Sequence, residues 1–347
     1  MMNTPFFCGM LVAGAAMVAS ANASPDDLVS ACKSDDLVKV KSLVGSGERV
    51  TAPGSDGVLP LMAACLNGHV PVARYLVEAG ADVKKPDDYG WTPLAGAARG
   101  GNTELVTLLV EQGADPTGKG VWPTPIECAV QGGNKDVVAF LLDKGAPANV
   151  VSRSGVSLLM DACGRGDVAL AGLLVKHGAD VNFKSPVGRN CMTSACFGGH
   201  LDMVKLLHGK GLPLCSVDSN GGSCLLFAAM SGNGELVKYI LDHGKDEKGE
   251  SIYVDTLDKD ENTPLLVLVS RVPSKGVVDT KMMELLLERG ADPSRANAKG
   301  LTAIGLLKEF SGKLSEALEK GAVNPGLKSL LGEMKEMEAK MEKKVRK

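Results

Sequence analysis

Five histidines and nine cysteines are the residues of this 347-residue chain best suited to bind a metal, relay a proton or attack an electrophile. A zinc site needs Cys and His ligands in closely spaced pairs, and a nucleophilic centre needs a base beside its thiol or hydroxyl. The spacing supplies neither. His69 and His200 each follow a glycine, His177 and His243 each precede a glycine that closes an apolar run, and His208 lies off that pattern. No Gly-rich phosphate loop follows a strand pattern, and no Ser/His/Asp set stands outside the order that governs the rest of the chain. The residue types therefore predict no catalytic residue, no metal ligand, no cofactor and no enzyme.

That order is a period. Glycines that close apolar runs fall at 47, 80, 113, 145, 178, 211, 244, 290 and 321, in steps of 33, 33, 32, 33, 33, 33, 46 and 31. A period near 33 marks a stacked array whose units cannot bury their apolar faces alone. Residues 88–116 show the unit: Asp-Tyr-Gly-Trp-Thr-Pro-Leu, an Ala-rich stretch, Gly-Gly-Asn, an apolar run, then Gly-Ala-Asp-Pro. Thr92-Pro93 suits a helix start, where proline's missing N–H costs nothing. Leu105, Val106, Leu108 and Leu109 form one apolar stripe on a second helix, and Gly113 supplies the left-handed residue that ends it. The aspartates of Gly-Ala-Asp recur in many of the units, so they serve turns and not a unique site.

These residues resemble the ankyrin repeat. The copies include "GVLPLMAACLNGHVPVARYLVEAGADV" (57–83), "TPIECAVQGGNKDVVAFLLDKGA" (124–146), "GVSLLMDACGRGDVALAGLLVKHGADVN" (155–182) and "TSACFGGHLDMVKLLHGKG" (193–211). Weaker copies are "GGSCLLFAAMSGNGELVKYILDHG" (221–244) and a split copy over 262–293. The resemblance covers about residues 25–325. It implies an all-α ankyrin-repeat solenoid of about seven full helix-turn-helix repeats with hairpin tips, plus N- and C-terminal capping repeats. In that register His69 and His200 fill the Gly-His slot between the two helices. The last copy, residues 300–322, places Lys308 in the second alanine slot, as suits a wet outer face. Seven extra residues fall within 245–262 and six within 271–280, as tolerated loop length or as partner contacts.

Both termini depart from the pattern. Residues 1–23 carry an uncharged run, Phe6 to Ala19, followed by Ala21-Asn22-Ala23, which is the order of a cleaved signal peptide. The run is shorter than the roughly 20 residues of a spanning helix, so no stable membrane span is expected after cleavage. The expected domains are a leader at 1–23, a solenoid at 24–325 and a charged helical tail at 326–347. The leader implies a secreted or periplasmic protein, with a cytoplasmic one as the alternative. The tail spaces Leu327, Leu330, Leu331, Met334, Met337, Met341 and Val345 by threes and fours, which suits a solvated or cap-covering helix more than a coiled coil.

The cysteines follow the register as well. Cys32, Cys65, Cys163 and Cys196 occupy the second alanine slot, and Cys191 and Cys224 the proline slot. Equivalent slots in adjacent repeats lie about 8–10 Å apart, beyond the roughly 7 Å that a disulfide spans between Cα atoms. No disulfide framework is expected, and the thiols pack as small hydrophobes.

With 44% hydrophobic residues, 23% charged residues and a net charge of −3, the chain lacks the basic surface that nucleic acid requires. The resemblance implies a protein partner, of unknown identity, held along a concave face of hairpin tips and first helices. The register puts Tyr89, Trp91, Val121, Trp122, Arg153 and Arg189 at tips, and Arg99, Phe197, Phe227 and Met230 on exposed first-helix positions. A patch centred on Trp91 and Trp122 and flanked by Arg153 and Arg189 has the composition of a hot spot. The function expected is a non-enzymatic interaction scaffold, monomeric by itself. The alternative is an exported, periplasmic or host-delivered protein that supports or inhibits a partner enzyme.

Overall fold

The computed structural model describes residues 24–245, 253–320 and 325–346. The leader at 1–23 and part of the insertion within 245–262 lie outside them. The chain divides into two compact units, Met1–Pro147 and Ala148–Lys347.

The first unit stacks four helix pairs: α1 (Pro25–Lys33) with α2 (Leu37–Gly45), α3 (Pro60–Leu66) with α4 (Val70–Glu78), α5 (Pro93–Gly100) with α6 (Thr103–Glu111), and α7 (Pro125–Gly132) with α8 (Lys135–Asp143). First helices pack on first helices and second helices on second helices. Local sequence explains each boundary. Thr92 Oγ1 accepts from the Ala95 N–H at 3.2 Å, and Pro93 takes the first helical position. Gly101, at φ 75, ends α5, and Asn102 starts α6 by accepting from the Leu105 N–H. Leu105, Val106 and Leu109 are fully buried, each contributing about 1.5–3 kcal/mol through the water it leaves.

The second unit continues the plan with α9 (Leu158–Gly164), α10 (Val168–Lys176), α11 (Cys191–Gly198), α12 (Leu201–Gly209), α13 (Cys224–Ser231) and α14 (Gly234–His243). Then come α15 (Pro264–Ser270), α16 (Val272–Lys275), α17 (Thr280–Glu288), α18 (Ala303–Glu319) and α19 (Pro325–Val345). The insertion of the split repeat includes the one-turn helix α16, closed by Gly276 at φ 64. Strand-like pairing includes two isolated bridges, Val151 to Ser157 and Val217 to Ser223.

At six of the tips one side chain organises the turn that precedes the first helix. Five residues before the cap stand Asp87, Ser152, Ser185, Asp218, Asp258 and Asn297. Asp87 Oδ1 accepts from the Tyr89 and Trp91 N–H groups, and Asp218 Oδ1 from those of Asn220 and Gly222. The aspartates of Gly-Ala-Asp act locally too: Asp82, Asp115, Asp180 and Asp292 each accept from the N–H two residues on. Short polar side chains favour turns because they bond their own backbone.

The C-terminal repeat departs from a helix pair. Residues 303–319 form one continuous helix, because Ser311 stands where Gly101, Gly133, Gly199 and Gly232 adopt positive φ, and Gly312 replaces the capping Asn. Without a left-handed stop and a new cap, the chain keeps its helical hydrogen bonds. Helix α19 then folds back on α17 and α18, burying Met334, Met337 and Met341. Lys308 bonds Glu342 at 2.6 Å, and Lys340 joins Glu284 to Glu336.

Candidate functional site

The residues with chemical potential are absorbed by the fold. His69 Nε2 and His200 Nε2 donate to the carbonyls of Lys33 and Gly164, each 3.0 Å away in the preceding repeat. Asn102, Asn134 and Asn233 make the same bond from the same slot, to carbonyls of Gly68, Ala98 and Gly199. Among the described residues no group of three or more His, Cys, Asp or Glu side chains could hold a metal ion. The eight described cysteines are free thiols, all buried except the half-buried Cys215. Burial pushes Cys32 and Cys128 up to about 12, far from the reactive thiolate. Cys163 is also raised, by the neighbouring Cys191 thiol and by burial.

The tip and first-helix residues form an arrangement within each unit. In the first, the Arg99 guanidinium lies over the Trp91 ring, 5.6 Å from its centroid, and donates to Gln131 Oε1 at 3.0 Å. Trp91 is half-buried while Tyr89, two residues earlier, is 66% exposed. Val121 is half-buried, and Trp122 is exposed at the register of Gly90, two residues before the cap. Gly90 adopts φ 87, and a Cβ there would meet the Trp122 carbonyl oxygen at 2.8 Å. Glycine lets the two tips approach. Arg99 is the cation that lies over Trp91 within this unit.

In the second unit Arg189 lies over two rings, 5.8 Å from the Phe197 centroid and 5.6 Å from that of Phe227. The rings meet edge to face at 5.8 Å, a favoured aromatic geometry. Arg189 Nε also reaches Asp218 Oδ2 at 3.4 Å, and that carboxylate side chain is only 1% exposed. Phe197 is 53% exposed and Met230, at the same slot one repeat on, is exposed as well. Arg153 is exposed.

Phe227 corrects the sequence expectation, since it is 5% exposed and not a surface residue. Its ring occupies space left by Gly222, where a Cβ would stand 2.4 Å from Phe227 Cζ. Asp218 and Gln131 were not foreseen. The signal for Asp218 was its place in the turn-forming slot; nothing in the sequence marks Gln131. Tyr239 was missed as well: its hydroxyl bonds His208 Nδ1 at 2.9 Å, and His243 stacks on its ring at 4.3 Å.

Comparison with known proteins decides the family. The family model described as "Ankyrin repeats (3 copies)" matches residues 28–120, 122–185, 159–249 and 191–297. The chain belongs to the ankyrin-repeat family. The crystal structure of the human ASB11 ankyrin repeat domain is similar, at 28% identity and a TM-score of 0.56, covering 62% of this chain and 97% of that one. A search of curated proteins finds no match. Ankyrin repeats are generally protein-interaction modules, and each unit here is a stack of them. Among the described residues no helix is long and apolar enough to cross a membrane.

Proposed function

We propose that this ankyrin-repeat chain is a non-enzymatic scaffold that binds a protein partner through its first helices and hairpin tips. The observation that carries the reading is Phe197, a ring 53% exposed yet held between Arg189 and the Phe227 edge. Aromatic and arginine side chains dominate interface energetics, and a ring already fixed in place loses little freedom on binding. Trp91 under Arg99, with Tyr89 exposed beside it, offers the same chemistry in the first unit.

The test compares cross-linked partners captured by the parent and by Phe197→Ala and Trp91→Ala variants, with helicity checked by circular dichroism. A partner whose capture drops about tenfold or more with either folded variant supports the scaffold reading. Equal capture by both removes these two surfaces from it. The chain acts as a monomer exported through its leader; sedimentation and N-terminal sequencing of the natural product test those two statements, and a retained Met1 would end the second.

A further inference from the structure

Asp255 and Asn149 hold the same register position, eight residues before the caps Thr263 and Ser157. Asn149 uses both ends of its amide: Oδ1 accepts from the Asp180 N–H at 2.8 Å, and Nδ2 donates to the Gly178 carbonyl at 2.9 Å. One tip is thereby tied to the turn that opens the next. Asp255 makes half of this tie. Its Oδ2 accepts from the Asp292 N–H at 2.9 Å, and Asp292 follows Gly290-Ala291 as Asp180 follows Gly178-Ala179. The other oxygen, Oδ1, is buried and has no hydrogen-bond partner, in a residue only 2% exposed.

The difference between the two residues is a hydrogen-bond donor. Where the amide of Asn149 presents an N–H, an ionised Asp255 presents only lone pairs, and the group in register to meet them, the Gly290 carbonyl, is also an acceptor. Such an unmatched buried oxygen is costly, and a proton on it turns two acceptors into a donor and an acceptor. We propose that Asp255 is a proton-operated latch: neutral, it donates from Oδ1 to the Gly290 carbonyl and completes the tie that Asn149 makes permanently. Ionised, it drops that bond and loosens residues 253–256 from the turn at 290–295.

The electrostatics act in the same direction. Burial raises the Asp255 carboxyl above its ordinary value, against the Asp292 N–H and Arg295, which lower it; the Asp292 carboxylate adds to the rise. Arg295 and Asp292 are the charged groups that act on it. The unfolded chain ionises this group near 3.8, while the folded chain holds its proton to a higher pH. The latch's contribution to stability is therefore complete below the unfolded value and is lost as pH rises through the raised one.

Amide hydrogen exchange of the full chain tests this between pH 4.5 and 8, after correction for the intrinsic rate. The tie at Asn149 is the internal reference, because an amide does not titrate. Protection of residues 290–295 should fall by about tenfold relative to 178–183 as Asp255 ionises. In the Asp255→Asn variant the fall should vanish, and the variant should melt above the parent at pH 8. A parent that shows no pH step at 290–295 beyond that at 178–183 overturns the latch. So does a folded Asp255→Asn variant that is no better protected than the parent at pH 8.

Discussion

The two units place a cation and an aromatic ring in the same two slots and exchange their roles. One residue before the cap and seven after it, the first unit has Trp91 and Arg99, and the second has Arg189 and Phe197. Both pairs stack, at 5.6 Å and 5.8 Å. Their supports differ. Arg99 is held by a neutral amide, Gln131, whereas Arg189 is held by the buried Asp218 carboxylate and a second ring, Phe227. The slots set the geometry, since tip and helix bring them together in every repeat; the neighbouring repeat sets how firmly the pair is held. The second pair thus has two supports beyond its own stack, a carboxylate and a ring, where the first has one amide.

The comparison breaks most severely at the glycines. Gly90→Ala forces a strained left-handed alanine against the Trp122 carbonyl and should destabilise the first unit by about 2–4 kcal/mol, measured by urea unfolding. The second unit should be unaffected; if both units lose stability together, they unfold as one cooperative body.

The turn carboxylates rank next. Asp218→Ala removes the acceptor of two backbone N–H groups and the partner of Arg189, and should cost about 2–3 kcal/mol. Asp87→Ala removes two N–H acceptors at a half-buried site and should cost about 1 kcal/mol. Equal losses in denaturant titrations would mean that Asp218 does not support Arg189.

Double-mutant cycles sharpen the pairs themselves. The coupling of Arg189 and Phe197 should reach about 1 kcal/mol, against about 0.5 kcal/mol for Trp91 and Arg99. The opposite order would assign the firmer pair to the first unit.

At neutral pH the smallest effect lies in the thiols. Unfolded cysteines ionise near 9.0, while Cys32 and Cys128 stay neutral in the folded chain to about 12. A raised folded value means stability present below the unfolded value and lost between the two, so alkaline pH should lower the midpoint of unfolding. At pH 8 both cysteines should resist alkylation until urea opens the first unit; rapid labelling in the folded state would contradict their burial.

Much of this was legible in one dimension. Thr-Pro starts, glycine stops and the 33-residue step fixed which helices form and which faces they bury, because those features act on the backbone within a few residues. The candidate surface was half legible. Exposure of Tyr89, Phe197 and Met230 follows from the register, but Phe227 turned inward because Gly222 vacates the space beside it. The missing left-handed glycine at Ser311 is itself legible in the sequence, and it is why α18 runs on as one helix in the C-terminal capping repeat.

The sequence by itself determined the repeat, the helix starts and stops of the regular repeats and the family resemblance, since periodic backbone chemistry needs no knowledge of distant contacts. The tertiary structure decided which cation meets which ring, which carboxylate is left with an unmatched oxygen, and where the tail lies. Those outcomes depend on side chains some thirty residues apart in sequence, whose distance and burial exist only once one repeat is laid against the next.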